Sequence, residues 1–425
     1  MRRALALIDG EHYAPVVRDA LAEVPYEVVG ALLVGGTEKL RGGDEYGVPV
    51  VHDLEEALAR FEPEVVVDLS DEPVLGPRER FRLASRVLAS GVAYEGADFS
   101  LRPPELEAFA RPSLAVIGTG KRMGKTAVTG YAARLLAREH DLVVVSMGRG
   151  GPAEPQVASV RPTVQDLLAL SREGSHAASD YLETAALAGV PTIGCRRAGG
   201  GLAGATWTSN VVEGMRKALA REPELVLFDG SGAAIPPVAA DGRILVAGGH
   251  QDPELVAGYL NAYRILISDL LVLTMAEEGS GWEAVAAAIR GVHDVPLVAT
   301  VLRPRPVAPI AGRRVAFFTT AVPPAVDRLA EHLREVHGAA EVTVSCNLSD
   351  RAALRGDVES ADADVFLVEI KAAAIDVVCE AAEAAGIEIV FADNEVVPLE
   401  GQPELDELLR ELASGAVSSA TEAVA

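Results

Sequence analysis

One stretch limits the possible folds more than any other. Leu114-Ala115-Val116-Ile117 is a short apolar run of strand type. Gly118-Thr119-Gly120-Lys121-Arg122-Met123-Gly124-Lys125-Thr126 is a glycine-rich loop. Val128, Tyr131, Ala132, Leu135 and Leu136 then recur at helical spacing. A strand running into such a loop, followed at once by a helix, is the setting that a phosphate-binding loop requires. Glycines let backbone N–H groups converge on phosphate oxygens without Cβ clashes. The helix N-terminus adds unpaired amides and the positive end of its dipole. In such a loop Lys125 reaches the β- and γ-phosphates, and the Thr126 hydroxyl ligates Mg²⁺. The expected ligands are therefore ATP and Mg²⁺, with Gly118 to Thr126 forming the nucleotide site.

The commonest spacing of this motif wants glycine at 119, where the chain has Thr; Gly118 stands one residue earlier. That longer loop resembles those of dethiobiotin synthetase and its relatives among P-loop ATPases. A second acid is needed for Mg²⁺ or its water. Asp229, after the apolar run Leu225-Val226-Leu227-Phe228 and before Gly230-Ser231-Gly232, is placed for it at the end of a buried strand. The loop Ser146-Met147-Gly148-Arg149-Gly150-Gly151-Pro152 follows another strand, and Arg149 there can neutralise charge on a transferring phosphoryl group. Arg196 and Arg197 precede Gly199-Gly200-Gly201 and suit an anionic substrate, since guanidinium forks bind phosphate bidentately. Lys121 and Lys125, two of only five lysines, add charge within the loop itself. Further arginines at 303, 305, 313 and 314 read equally as solvated surface charge.

Strand-like runs alternate with helical periods along the whole chain, the pattern of α/β units with parallel sheets. Three segments follow from its breaks. Residues 1–110 form an N-terminal Rossmann-like α/β domain with strands at Ala4–Ile8, Val28–Val34 (ending at Gly35-Gly36) and Glu64–Leu69. Residues 111–310 form the P-loop core, closed by the proline-rich stretch 303–309, a linker or a loop over ligand. Residues 311–425 form a C-terminal α/β domain whose last ten residues are expected to fray. In the first segment Asp9, Glu11 and His12 lie just past a strand end, where α/β sheets bind ligands. Glu369, Lys371, Asp393 and Asn394 occupy similar places in the third, with turn or cap roles as the plain alternative.

The 425 residues carry 62 acidic against 38 basic side chains, a net charge of −24. That field repels polyanions, so no nucleic-acid partner is expected. Three widely spaced cysteines give neither a disulfide framework nor a zinc pattern. The short apolar start has no signal-peptide layout, and no uninterrupted apolar run reaches about 18 residues. The expectation is a cytoplasmic protein with no membrane contact.

Leu7-Ile8-Asp9-Gly10-Glu11-His12-Tyr13 with Pro15 to Leu21, the loop Gly118–Thr126, Val145 to Pro152, Asp229-Gly230-Ser231-Gly232, and Pro306 to Pro309 with Val315 to Thr320 together resemble the cyclic 2,3-diphosphoglycerate synthetase family. The resemblance spans all three segments. It implies an ATP-dependent ligase that closes the intramolecular phosphoanhydride of 2,3-diphosphoglycerate, releasing ADP and phosphate. Phosphorylation of 2-phosphoglycerate is implied as a second activity. The small phosphorylated three-carbon acid is then the partner, and a homodimer the expected assembly. Lys121, Lys125 and Arg149 would be the catalytic cations. Glu11, His12, Arg149, Arg196 and Arg197 would face substrate. Thr126 and Asp229 would hold the metal. Two other classes remain open on the residues alone. One is a dethiobiotin synthetase-like ligase acting on another acid. The other is a partitioning-type regulatory ATPase, though the Gly-Gly pair expected after Lys121 is replaced by Arg122 and Met123.

Overall fold

The computed structural model describes residues 1–35 and 46–424; Gly36, the expected end of the second strand, lies outside them. Two sheets organise the chain. The first runs edge to edge through Val50–Val51, Glu27–Leu33, Arg3–Ile8, Val65–Asp68, Ala93–Glu95 and Ser100–Leu101, parallel except at its last pair. Its strands are near-continuous apolar runs because helices cover both faces. Helix Leu54–Phe61 is capped by Asp53, whose carboxylate accepts the Glu56 N–H at 2.8 Å. Helix Pro77–Ala89 docks this unit on the next: Phe81 meets Tyr259 with ring centroids 5.5 Å apart, and the Ser85 hydroxyl donates to the Tyr259 carbonyl at 3.0 Å.

The second sheet has thirteen strands among the described residues. Its order is Thr208–Ser209, Thr192–Ala198, Leu142–Gly148, Leu225–Asp229, Ser113–Gly118, Gly242–Gly248, Leu270–Thr274, Leu297–Pro306, Glu388–Pro398, Val365–Glu369, Arg314–Phe318 and Glu341–Ser345, with Gln156–Ala158 on Thr192–Ala198. The core is a mainly parallel P-loop sheet with helices, and both flanking units are α/β. Strand Ser113–Gly118 lies at its centre, buried along its whole length.

The first half of the proline-rich stretch is strand, not linker or loop. Arg303 to Pro306 complete a ten-residue strand, Leu297–Pro306, that runs antiparallel to Glu388–Pro398 from Thr300 onward. The Val307 N–H donates to the Phe391 carbonyl at 2.9 Å, so odd-numbered amides face that partner. Pro304 and Pro306 then turn their missing N–H groups to the other side, where the pairing to Leu270–Thr274 has already ended at Ala299. The sheet of the C-terminal unit is thereby continuous with that of the P-loop unit.

Leu405–Val424 is one helix. Leu405, Leu409, Ala413 and Ala416 form its apolar stripe and pack into the same core as Leu114, Val116 and Ile244. No described helix is long and apolar enough to cross a membrane.

Candidate active site

The phosphate loop leaves strand Ser113–Gly118 and ends in helix Lys125–Leu136. Gly124 caps that helix in the left-handed region, φ +74°. A Cβ there would stand 3.0 Å from Leu302 Cδ1 and 3.1 Å from Thr274 Cγ2, so both its dihedral and its surroundings demand glycine. Arg122 also has positive φ, +62°, and its side chain is exposed. The Thr119 N–H donates to the Val246 carbonyl at 3.1 Å, and its hydroxyl to Gln251 at 3.0 Å. The Thr274 hydroxyl donates to the Met123 carbonyl at 2.7 Å. Among the described residues, the amides from Gly120 to Gly124 donate to no protein acceptor, as a loop built to wrap phosphate oxygens requires.

Beneath the loop lies Asp229, fully buried at the end of Leu225–Asp229. Lys125 Nζ approaches its Oδ1 at 2.5 Å, the Thr129 hydroxyl donates to the same oxygen at 2.9 Å, and Ser146 Oγ lies 3.5 Å from Oδ2. Burial raises the Asp229 pKa, and Lys125 opposes that rise. Thr126 follows Lys125 on the first helical turn and is half-buried. A hydroxyl and a carboxylate beside a polyphosphate are the hard oxygen donors that Mg²⁺ takes, completed by phosphate oxygens and water. Among the described residues, no cluster of three or more His, Cys, Asp or Glu gathers to hold a metal unaided.

Positive charge gathers on one side of the loop. Strand Thr192–Ala198 pairs with Leu142–Gly148 so that Arg196 lies opposite Gly148, bringing the Arg196-Arg197 pair beside Arg149. Arg197 is only 8 % exposed. It donates to the Ser231 carbonyl at 2.7 Å and to the Gly199 carbonyl, while its Nε has no protein partner. Burial, and next the charge of Arg149, lower its pKa. Arg149, Arg196 and Lys121 are exposed. Lys121 passes close to Gly232, within 3.3 Å of where a Cβ would sit. Arg303, Arg305, Arg313 and Arg314 are instead engaged by Glu277, Asp393, Glu388 and the pair Asp362 and Asp364.

Asp9, Glu11 and His12 lie in the N-terminal unit, and the bonds of Asp9 stay there. It accepts the Glu11 and Asp71 amides at 2.9 and 3.1 Å, and His12 Nδ1 lies 3.8 Å away. A groove of about 710 Å³ between helices Pro77–Ala89 and Pro253–Ala257 also lies apart from the loop. Thr129, Gln251 and Asp180 are site neighbours that sequence reasoning passed over. Thr129 had a signal, since it falls one turn after Lys125 on the same helix face. Asp180 had none: it opens helix Asp180–Ala188, and a Cβ on Gly148 would stand 3.0 Å from its Oδ2.

A strand, a glycine loop opening a helix, and a buried aspartate ending the adjacent strand make this core that of a P-loop nucleotide-binding enzyme. Family models of three consecutive domains match the chain. The cyclic 2,3-diphosphoglycerate synthetase N-terminal, P-loop and C-terminal domain models cover residues 3–102, 113–303 and 306–395. The chain belongs to the cyclic 2,3-diphosphoglycerate synthetase family. A relative of that name from Rubrobacter xylanophilus is 54% identical over 416 residues, covering 93% of this chain and 94% of its own. Similar relatives from Thermococcus kodakarensis and Methanothermobacter thermautotrophicus are 41% and 38% identical, covering 94% and 97% of this chain and 95% and 96% of theirs.

Proposed function

We propose that this protein is an ATP-dependent synthetase that closes the phosphoanhydride of cyclic 2,3-diphosphoglycerate from 2,3-diphosphoglycerate, with ADP and phosphate as products. Family membership supports the reaction. The observation that carries the site is the Lys125–Asp229 pair beneath a loop of free amides, flanked on one side by Arg149, Arg196 and Arg197. Within this proposal Gly118 to Thr126 hold the nucleotide phosphates. Thr126 and Asp229 hold Mg²⁺, which when bound screens the polyphosphate charge. Lys121 and Arg149 approach the transferring group, and Arg196 and Arg197 the substrate. Glu11 and His12 keep a substrate role only if the N-terminal unit faces the same ligand.

The chemistry follows from charge. An ionised substrate phosphate oxygen attacks the γ-phosphorus, the bond to the bridging oxygen breaks, and ADP leaves. The second substrate phosphate then attacks the inner phosphorus of the new pyrophosphoryl group, and orthophosphate leaves with the electron pair. Both nucleophiles are already anions, so neither step needs a general base. Both steps press anions together, so dense positive charge and fixed orientation supply the catalysis. Phosphorylation of 2-phosphoglycerate is a single transfer with a different nucleophile: the C3 hydroxyl oxygen attacks the γ-phosphorus, the bond to the bridging oxygen breaks, ADP leaves, and the hydroxyl proton passes to water. The proposal also takes the protein as a cytoplasmic homodimer without nucleic-acid partners; sedimentation at two ionic strengths checks the last two points. The central test is phosphorus NMR of the purified protein with ATP, Mg²⁺ and 2,3-diphosphoglycerate. A new phosphoanhydride resonance growing with ADP is expected; its absence, with ATP unconsumed, would overturn the assignment.

A further inference from the structure

A small cavity lies behind the loop that carries Arg149. It measures about 30 Å³, and its walls include Ser146, Gly148, Gly150, His176, Ser179 and Asp180. That is room for one water-sized group. Direct contacts fix its place. Ser146, on its wall, sets its Oγ 3.5 Å from Asp229 Oδ2, and Asp229 is the partner of Lys125. The cavity is therefore one side chain away from the base of the phosphate loop, on the flank where the arginines gather.

Two polar groups in it lack partners. Ser179 stands at the N-cap position of helix Asp180–Ala188, yet its side chain makes no cap bond. It is 4 % exposed, and its hydroxyl has no hydrogen-bond partner among the described residues. Asp180 follows it. The Asp180 carbonyl accepts the Thr184 hydroxyl at 3.0 Å, but its carboxylate enters no hydrogen bond or ion pair among the described residues. A Cβ on Gly148 would stand 3.0 Å from Asp180 Oδ2, so the carboxylate lies against the backbone of the arginine loop. An acid in the first turn complements the helix dipole. That role does not account for a buried hydroxyl left unpaired beside it.

We propose that this cavity seats the C3 hydroxyl of 2-phosphoglycerate and that the Asp180 carboxylate is the base that takes its proton. This rests on the phosphorylation of 2-phosphoglycerate in the function proposed above. The lining selects the group. A carboxylate only accepts hydrogen bonds, so it welcomes a hydroxyl donor and repels a phosphate, while Ser179 and Ser146 can each bond the same oxygen. Arg149, Arg196 and Arg197 beside it suit the phosphate of the same molecule. 2,3-Diphosphoglycerate has no hydroxyl to offer the cavity.

The step balances. The C3 oxygen bonds to the γ-phosphorus as its O–H bond breaks, and the proton goes to Asp180. The bond from phosphorus to the bridging oxygen breaks, and the electron pair leaves with ADP. Asp180 then passes the proton to water. Cyclisation starts from a phosphate that is already an anion and needs no such acceptor. Asp180 thus serves one of the two activities in a way that the other does not require.

The test compares wild type with Asp180→Asn and Ser179→Ala. Each is assayed with ATP and Mg²⁺ on 2-phosphoglycerate and, separately, on 2,3-diphosphoglycerate. Asp180→Asn should lower kcat on 2-phosphoglycerate at least about hundredfold, and the ratio of that kcat to the cyclisation kcat at least about thirtyfold, the scale of a lost general base. Ser179→Ala should raise KM for 2-phosphoglycerate, relative to KM for the bisphosphate, about three- to tenfold, the scale of one lost hydrogen bond. A kcat on 2-phosphoglycerate that survives Asp180→Asn, or that falls in step with cyclisation, makes the acid part of the frame and overturns the proposal. If Asp180→Asn does not fold, Ser179→Ala decides: a raised KM ratio supports the hydroxyl seat and an unaltered one removes it. A wild type that cyclises 2,3-diphosphoglycerate but leaves 2-phosphoglycerate untouched removes the base and spares the parent function. A wild type that phosphorylates 2-phosphoglycerate without making cyclic product refutes the parent function, and the Asp180→Asn comparison still decides the base.

Discussion

Lys125 and Asp229 meet at 2.5 Å at the base of the phosphate loop, with Asp229 fully buried and Lys125 nearly so. The lysine proposed to reach for nucleotide is thus also the counter-charge that opposes the rise burial imposes on the Asp229 carboxyl. Removing it leaves Asp229 uncompensated, a cost of about 3–5 kcal/mol if the charge persists. Lys125→Ala is expected to lose turnover by about a thousandfold. Its stability should also gain a pH dependence. The folded-state pKa of Asp229 already lies above its ordinary value, and loss of Lys125 lifts it further. A carboxyl raised in the folded state favours folding below its unfolded pKa and loses that contribution as pH rises through the folded one. The variant should therefore melt closer to wild type at pH 5 than at pH 8, as scanning calorimetry at the two values will show.

Gly124→Ala tests the loop without touching charge. The positive φ costs a non-glycine residue about 1–2 kcal/mol, and the new methyl meets Leu302 and Thr274. The loop must shift, so nucleotide affinity should fall at least about tenfold with a modest drop in Tm. Unchanged affinity for ADP by calorimetry would contradict the fit described for this corner.

Arg134, on the phosphate-loop helix, is mostly buried and reaches Asp393 and Glu395 on strand Glu388–Pro398. Arg134→Met strands the buried Asp393 with only Arg305. A loss of about 3–5 kcal/mol is expected, the range for breaking a buried pair from one side. Denaturant titration of the Arg134→Met chain against wild type measures it, and a change below about 1 kcal/mol would mean that Arg305 alone suffices.

Glu183 gives the opposite sign from a salt-bridged acid. Its pKa is pushed up to about 8 by burial, so wild-type stability should decline as pH rises from about 4.5 through 8. Glu183→Gln removes that titration. The variant should gain Tm relative to wild type at pH 9 and show little difference at pH 5.

The legible parts of this fold were those whose residues speak locally. The phosphate loop, the strand ending in Asp229 and the first three N-terminal strands carry their own periodicity and punctuation, and all form. Two central strands were missed. Thr192–Ala198 is broken by glycine and two arginines, and Gly242–Gly248 begins and ends in glycine, with Arg243 in second place. Their burial is decided by neighbours on both sides, which no local pattern records. Pro304 and Pro306 misled because proline argues against a sheet interior, yet both face the unpaired side. In the site, Arg197 could be suspected from its type, but its burial and the partnering of Arg303, Arg305, Arg313 and Arg314 depend on residues distant in sequence. The approach of Asp180 to Gly148, and of Lys371 to Glu183, is created only by tertiary packing.

The unbroken ladder through residues 300–306 has a mechanical consequence. Leu297–Pro306 belongs to both units at once, and the antiparallel seam it shares with Glu388–Pro398 leaves no swivel between them. On the proposed function, a substrate lodged between these two units would therefore meet walls set at a fixed spacing, like the jaws of a gauge. Whatever gives way to admit it must lie outside that plate, in side chains, in the glycine loops, or in the N-terminal unit, which rides on a sheet of its own.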